Sequence, residues 1–177
     1  GLAIRNALRD QGPTSISNYI GSDSLITRSD LDAARIGLWG VSLGGYYAAR
    51  SVAFEKRIKA CISLSGPYSW VETFDSRKEL SREAFRVRSH AKDMAVAREN
   101  AKTLSLEGVA KNITCPIFVV GGEFDKLTPP HNAERIAAEV SGPCQLLIVK
   151  GGNHVANNRR YMFQTQTADW MADILCK

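Results

Sequence analysis

Short apolar runs alternate with segments of helical periodicity along most of the chain. Four runs have the length and composition of buried strands: Arg35–Trp39, Ile58–Leu64, Pro116–Gly121 and Gln145–Lys150. Apolar residues recur at helical spacing in three further segments, Gly44–Phe54, Pro130–Val140 and Asn158–Cys176. This alternation predicts an α/β fold in which a mainly parallel sheet is flanked by helices.

The longest interruption of this alternation covers residues 65–114, between the second and third predicted strands. Because it is too long for a simple crossover, we expect a helical insertion that forms a pocket wall within a single domain of residues 1–177. Its first residues follow the carboxyl end of a strand, where open α/β sheets bind ligands. Candidate pocket residues are Tyr46, Tyr68, Trp70 and Phe74, although ordinary core packing explains each of them equally well.

A serine flanked by glycines joins the first predicted strand to the first predicted helix, in the sequence Gly40-Val41-Ser42-Leu43-Gly44. This pattern is typical of a nucleophile elbow, where a strained turn holds the serine hydroxyl out from the sheet. The glycines on either side are expected to relieve crowding in the turn. The backbone N–H of Leu43, at the start of the helix, is the expected donor to an oxyanion. The same pattern also occurs in tight turns that have no catalytic role.

A serine nucleophile needs a base and an orienting acid, and two later loops supply candidates for both. Asp125 follows the third predicted strand and His154 follows the fourth, so both lie at carboxyl ends of strands, as Ser42 does. Their order along the chain is that of an α/β-hydrolase and differs from the orders in chymotrypsin-like and subtilisin-like proteases. Taken singly, His154 is an ordinary loop residue and Asp125 a turn residue, and Glu123 is an alternative acid.

Charge and cysteine content limit the classes of function. The chain has 177 residues, a net charge of +5 and no apolar run long enough to cross a bilayer, which predicts a soluble protein without a membrane partner. The basic surplus lies around residues 77–99, where acidic residues are interleaved and no nucleic-acid recognition motif is present. We therefore expect that segment, Arg77 included, to be a solvated helix face. Four widely spaced cysteines predict buried free thiols, no metal site and a cytoplasmic protein.

The motifs around Ser42, Asp125 and His154, with the segments Arg57–Ser63 and Ala168–Met171, resemble the α/β-hydrolase superfamily. Within it the chain is most similar to the branch of the 2,6-dihydroxypseudooxynicotine hydrolases and the fermentation-respiration-switch-like proteins. The resemblance implies a Ser42 nucleophile, an Asp125 acid and a His154 base, acting without a cofactor on a small carbonyl substrate. That substrate is an ester or a compound with a scissile carbon-carbon bond next to a ketone.

The departures from that family concern its amino-terminal half. Members have further strands before the elbow, a second oxyanion amide from an upstream loop and, in this branch, a helical cap, and none of these is recognisable here. We therefore expect the chain to be the carboxyl-terminal half of a hydrolase. The Arg35–Trp39 strand is therefore expected to have an exposed edge, which is covered by a second copy in a homo-oligomer, by another chain, or by the segment Gly1–Ser29. A rival hypothesis is a non-catalytic fragment that serves as a binding or assembly module.

Overall fold

A computed structural model describes residues 29–176, and within them a parallel sheet forms the centre of the fold. Its strands are β1 (Ile36–Val41), β2 (Ile58–Leu64), β3 (Ile117–Gly122) and β4 (Cys144–Val149), adjacent in that order. All three pairings are parallel, so the carboxyl ends of the strands lie along one edge of the sheet. The predicted α/β architecture is confirmed.

Helices connect the strands and cover both faces of the sheet. Helix α1 (Leu43–Phe54) follows β1, and α2 (Trp70–Phe74), α3 (Glu79–Arg88) and α4 (Met94–Lys102) follow β2. Helix α5 (His131–Glu139) joins β3 to β4, and α6 (Gln164–Leu175) comes after β4. Short 3₁₀ segments occupy Ala110–Asn112 and His154–Met162. The long segment between β2 and β3 is therefore helical.

The core lies on both faces of β2 and β3, where side chains alternate between two hydrophobic clusters. Ile62 and Phe118 belong to the cluster beneath α6, and the Phe118 ring meets Trp170 edge-on with centroids 5.5 Å apart. Cys61 and Ile117 point to the opposite face, into the cluster formed with α1, α4 and α5. Burial on both faces is typical of parallel strands and explains why these two segments are almost entirely apolar.

The edge strands β1 and β4 are more exposed than the interior strands β2 and β3. In β1, Trp39 and Val41 are 46% and 47% exposed, and the first three residues of β4 are also exposed. Each strand has one neighbour among the described residues, so its apolar side chains are covered less completely than those of the interior strands. The cysteines were expected to be buried free thiols. Cys61 is buried, but Cys144 in β4 and Cys176 are exposed, so the expectation is wrong for these two.

The last helix begins later than the predicted Asn158 start, at Gln164. Residues 154–162 instead form irregular 3₁₀ turns, in which Val155 and Ala156 have φ of 55° and 47°. Arg159 (φ −137°, ψ 33°) and Phe163 (φ −134°, ψ −25°) also lie outside the right-handed helical region, so a regular helix cannot begin at Asn158.

The charged segment around residues 77–99 is only partly a solvated face. Helix α3 has no buried residue, as predicted for a solvated face, but Arg77 just before it is only 7% exposed. The prediction that Arg77 belongs to the solvated face is wrong, because its guanidinium packs inward against other side chains.

Within residues 29–176, none of the helices is long and apolar enough to cross a membrane.

Candidate active site

Ser42 lies in a strained turn between β1 and α1. Its φ is 55°, a conformation that a residue with a side chain rarely adopts. The turn is fixed on both sides, because the Ser42 N–H donates to the carbonyl of Leu64 at 2.8 Å and the Ser42 carbonyl accepts from Gly45 N–H at 2.8 Å. Leu43 is the first residue of α1, so its N–H is among the first-turn amides that have no partner within the helix.

Close backbone contacts explain two of the glycines around the serine. A Cβ at Gly40 would lie 2.0 Å from the carbonyl oxygen of Gly44, and a Cβ at Gly45 would lie 2.9 Å from the Cα of Gly66. A Cβ at Gly44 meets nothing within 4 Å. The prediction that Gly44 relieves crowding is therefore wrong, and Gly45 is the second glycine that the turn requires.

The three predicted side chains lie within hydrogen-bonding distance of one another. Ser42 Oγ is 2.9 Å from His154 Nε2, and His154 Nδ1 is 3.0 Å and 2.9 Å from the two carboxylate oxygens of Asp125. The Asp125 side chain is fully buried, while 26% of the His154 side chain is exposed. The arrangement thus leads from a buried carboxylate to a half-buried serine.

Backbone amides hold the Asp125 carboxylate in place and favour its ionised form. The N–H groups of Leu127 and Thr128 both donate to Asp125 Oδ1 at 2.9 Å. Burial raises the pKa of Asp125, but the hydrogen bond from His154 and these two amides outweigh it, so its pKa lies below the ordinary aspartate value. An ionised carboxylate can only accept, so His154 Nδ1 donates to it and Nε2 is left to accept from Ser42.

Glu123, the alternative acid, makes a different contact. Its Oε2 accepts a hydrogen bond of 2.7 Å from the backbone N–H of Gly151. Phe124 N–H donates to the carbonyl of Gly152 at 2.7 Å, so the turn that carries Asp125 is joined to the loop that carries His154. Glu123 therefore links the two loops, and Asp125 is the acid that contacts His154.

Ser65 supports the histidine loop and was not identified from the sequence. Its hydroxyl accepts a 3.2 Å hydrogen bond from the N–H of Val155, directly after His154. Ser65 is buried at the carboxyl end of β2 and has a φ of 48°. Non-glycine residues with a strained backbone occur preferentially at functional sites. No sequence pattern, however, marks a serine that adopts a positive φ.

Ser65→Gly is expected to be about 1 kcal/mol more stable than Ser65→Ala, because alanine keeps a Cβ in the left-handed region and glycine does not. Both variants lose the acceptor for Val155 N–H, so the comparison isolates backbone strain. Ser63, inside β2, is the matched control, since its hydroxyl also makes a hydrogen bond, to the Gly45 carbonyl at 3.0 Å. There we expect alanine to be the more stable variant, by about 0.5–1 kcal/mol. The free energy of unfolding of the four variants is measured with denaturant. The account is wrong if glycine and alanine have the same order of stability at position 65 as at position 63.

The four candidate pocket residues are all buried in the core cluster on the α1 face of the sheet. The Tyr68 hydroxyl donates to the Glu139 carboxylate, and burial raises the pKa of Tyr68 to about 12. Trp70 and Phe74 both pack against Phe85, with centroids 5.8 Å and 5.9 Å apart. Burial likewise raises the pKa of Tyr46 to about 12. Contact of these residues with a substrate stays a prediction.

No group of three or more His, Cys, Asp or Glu side chains among residues 29–176 is arranged to hold a metal ion. His90 and His131 are exposed. The described part of the chain thus brings together Ser42, His154 and Asp125 at the carboxyl edge of the sheet.

Comparisons with known proteins place this fold among hydrolases. The 2,6-dihydropseudooxynicotine hydrolase of Paenarthrobacter nicotinovorans is 30% identical over 141 residues, which are 79% of this chain and 38% of that protein. A crystal structure of the 2,6-dihydroxy-pseudo-oxynicotine hydrolase superposes with a TM-score of 0.83 and 28% identity, over 91% of this chain and 46% of that one. The chain thus spans less than half the length of either relative.

A more distant solved structure shares the fold. Acetyl xylan esterase 1 from Thermoanaerobacterium sp. JW/SL YS485 gives a TM-score of 0.68 at 16% identity, over 97% of this chain and 57% of that one. A family model described as the prolyl oligopeptidase family matches residues 9–176. The predicted membership of the α/β-hydrolase superfamily is confirmed, whereas this family was not predicted. The chain belongs to the prolyl oligopeptidase family, within the α/β-hydrolase superfamily.

Proposed function

We propose that this chain carries the catalytic triad of a serine hydrolase that acts on a carbonyl substrate through an acyl-enzyme. The observation that carries the proposal is the continuous set of contacts from Asp125 through His154 to Ser42, with distances of 2.9 Å at both links. An isolated serine hydroxyl is a weak nucleophile, and this arrangement supplies the base that it needs.

In the proposed reaction, His154 Nε2 takes the proton from Ser42 Oγ while the oxygen forms a bond to the substrate carbonyl carbon. The carbonyl oxygen becomes an oxyanion near the first turn of α1, where the Leu43 N–H and the positive end of the helix dipole stabilise it. Collapse of the intermediate breaks the bond to the leaving group, which takes the proton from His154. Water then attacks the acyl-enzyme with His154 as base, and the acid is released.

Asp125 stabilises the imidazolium that forms on His154 and fixes its tautomer. Its low pKa supports this role, because the carboxylate stays ionised at neutral pH.

The family resemblance implies two substrate classes, which differ in the atom that accepts the proton from His154. When the substrate is an ester, the leaving group accepts this proton on an oxygen. When the scissile bond is a carbon-carbon bond next to a ketone, the leaving group must accept the proton on a carbon.

The test is a pre-steady-state assay with an activated ester, using the protein that contains this chain. The proposal predicts a burst equal to the concentration of folded sites and an acyl group bound covalently to the protein. A β-diketone offered in parallel distinguishes the two substrate classes. A folded protein that gives neither a burst nor cleavage of either substrate would favour the rival hypothesis of a non-catalytic binding module.

We also propose that the open edge of β1 is covered by another strand or by a second copy of the chain. The support is the exposure of Trp39 and Val41 beside backbone groups that have no sheet partner among the described residues. The third predicted cover is the segment Gly1–Ser29, of which residues 1–28 lie outside the described residues.

Hydrogen exchange of the amides from Ile36 to Trp39 and sedimentation at several concentrations test this cover. We expect slow exchange at β1, comparable to that of Ile62 in the interior strand β2, which serves as the internal control. If a second copy is the cover, the sedimentation coefficient rises with concentration. A concentration-independent monomer with freely exchanging edge amides would refute the proposal.

A further inference from the structure

Arg77 is buried in the turn between α2 and α3, and its environment differs from that of the exposed basic residues around it. It is 7% exposed, whereas Lys78 and Arg88 on the same segment are exposed. Burying a guanidinium is costly unless its charge and donors are matched by partners. The contacts of Arg77 therefore indicate what this burial achieves.

One side of the guanidinium is fixed to α2. Its Cζ lies 3.6 Å from the centroid of the Trp70 ring, and Nη2 donates to Thr73 Oγ1 at 3.0 Å. The same Nη2 donates to the carbonyl oxygen of Leu127 at 3.2 Å, in the turn that carries Asp125. Arg77 thus joins the helical segment after β2 to the acid turn after β3.

The Leu127 carbonyl has a direct connection to the triad, because it belongs to the same peptide group as the N–H of Thr128. That N–H donates to Asp125 Oδ1 at 2.9 Å, and Asp125 contacts His154 Nδ1. A donor on the carbonyl side of a peptide fixes its plane and strengthens the hydrogen bond that its N–H makes. The path from Arg77 to His154 therefore consists of three hydrogen bonds and one peptide group.

We propose that Arg77 is a positioning residue that orients the Asp125 carboxylate towards His154 through the Leu127–Thr128 peptide. This inference rests on the proposed function of the triad.

The charges around Asp125 are consistent with this role. Asp125 interacts with titratable groups from two other elements, with His154 through a hydrogen bond and with Arg77 through its charge. Burial lowers the pKa of Arg77 to about 10, and the charge of Asp125 acts in the opposite direction, so the guanidinium is protonated at neutral pH. Arg77 Nε is buried without a hydrogen-bond partner among the described residues. An unsatisfied buried donor lowers the free energy of unfolding, so the guanidinium occupies this position at a cost in stability.

The test compares Arg77→Met with Arg77→Lys, in the protein that contains this chain. Methionine keeps apolar contact with Trp70 and removes the hydrogen bonds, while lysine keeps the charge but lacks the planar fork. Arg135→Met is the matched control, since Arg135 also stacks on an aromatic ring, that of Tyr68 at 3.8 Å, but pairs with Glu72 on the surface.

Two readouts are used, each normalised to folded protein. The first is the rate of labelling by a fluorophosphonate, and the second is the downfield proton resonance of the His154 Nδ1–H that Asp125 accepts. We expect Arg77→Met to slow labelling by about tenfold to a hundredfold and to shift or broaden the resonance. Arg77→Lys should fall between Arg77→Met and the unmodified protein, and Arg135→Met should match the unmodified protein in both readouts.

A purely structural role for Arg77 would lower the folded fraction but leave the labelling rate per folded molecule and the resonance unchanged. That result in Arg77→Met overturns the inference, and if Arg77→Met does not fold, the same result in Arg77→Lys overturns it. Failure of the unmodified protein to react would instead contradict the proposed function. The resonance would still decide the role of Arg77, because it requires no reaction.

Discussion

Ser42→Ala is expected to remove ester hydrolysis, with a loss in kcat of about a millionfold. The reason is that Ser42 Oγ is the atom that His154 Nε2 faces at 2.9 Å, and alanine leaves no nucleophile there. The measurement is the burst and steady-state rate with an activated ester. Binding of substrate should change little, because the substitution removes one small polar atom from the surface of the site.

Ser51→Ala is the matched control for that variant. Ser51 lies in α1, which begins directly after Ser42, and its hydroxyl donates to the backbone carbonyl of Tyr47. We expect it to retain the full rate. Persistence of the burst in Ser42→Ala would exclude Ser42 as the nucleophile.

Asp125→Asn is expected to lower kcat by about ten-thousandfold while the fold is retained. An asparagine amide can donate to His154 Nδ1, which places the imidazole proton on Nε2, where it blocks acceptance of the Ser42 proton. The Leu127 and Thr128 amides still have the side-chain oxygen as acceptor, so the turn keeps its hydrogen bonds. Turnover and thermal unfolding, measured on the same preparation, separate these two effects.

Glu123→Gln is the control for charge and position in the same turn. Its side chain contacts Gly151 N–H and not His154, and a glutamine oxygen can replace that acceptor. The rate should stay within a few-fold of the unmodified protein. If Glu123→Gln were the inactive variant and Asp125→Asn the active one, the assignment of the acid would be wrong.

The sheet could be predicted from sequence because its strands are short apolar runs at regular intervals. Ile58–Leu64 has the same bounds in the prediction and in the structure, and the other three strands differ by one or two residues at their ends. The three triad residues could be found for a related reason. Each lies in the turn or loop that follows a strand, and the carboxyl ends of parallel strands meet at one edge.

Features that depend on neighbours in space could not be predicted. The exposure of β4 follows from its place at an edge of the described sheet, and strand order is not encoded in hydrophobic periodicity. Arg77 stands in a charged run whose other members are solvated, and its burial depends on Trp70 and on the turn after β3. The positive φ of Ser65 and Val155 is imposed by the loops that meet around His154, and neither residue type favours it.

The most direct test of the central claim is to locate a covalent fluorophosphonate adduct by mass spectrometry in the protein that contains this chain. A triad with Ser42 as nucleophile predicts one adduct per folded molecule, on the peptide that contains Ser42. It also predicts that the adduct is absent in Ser42→Ala and that it forms at a small fraction of the rate in His154→Ala. An unlabelled folded protein, or an adduct on another residue that survives both substitutions, would contradict the claim.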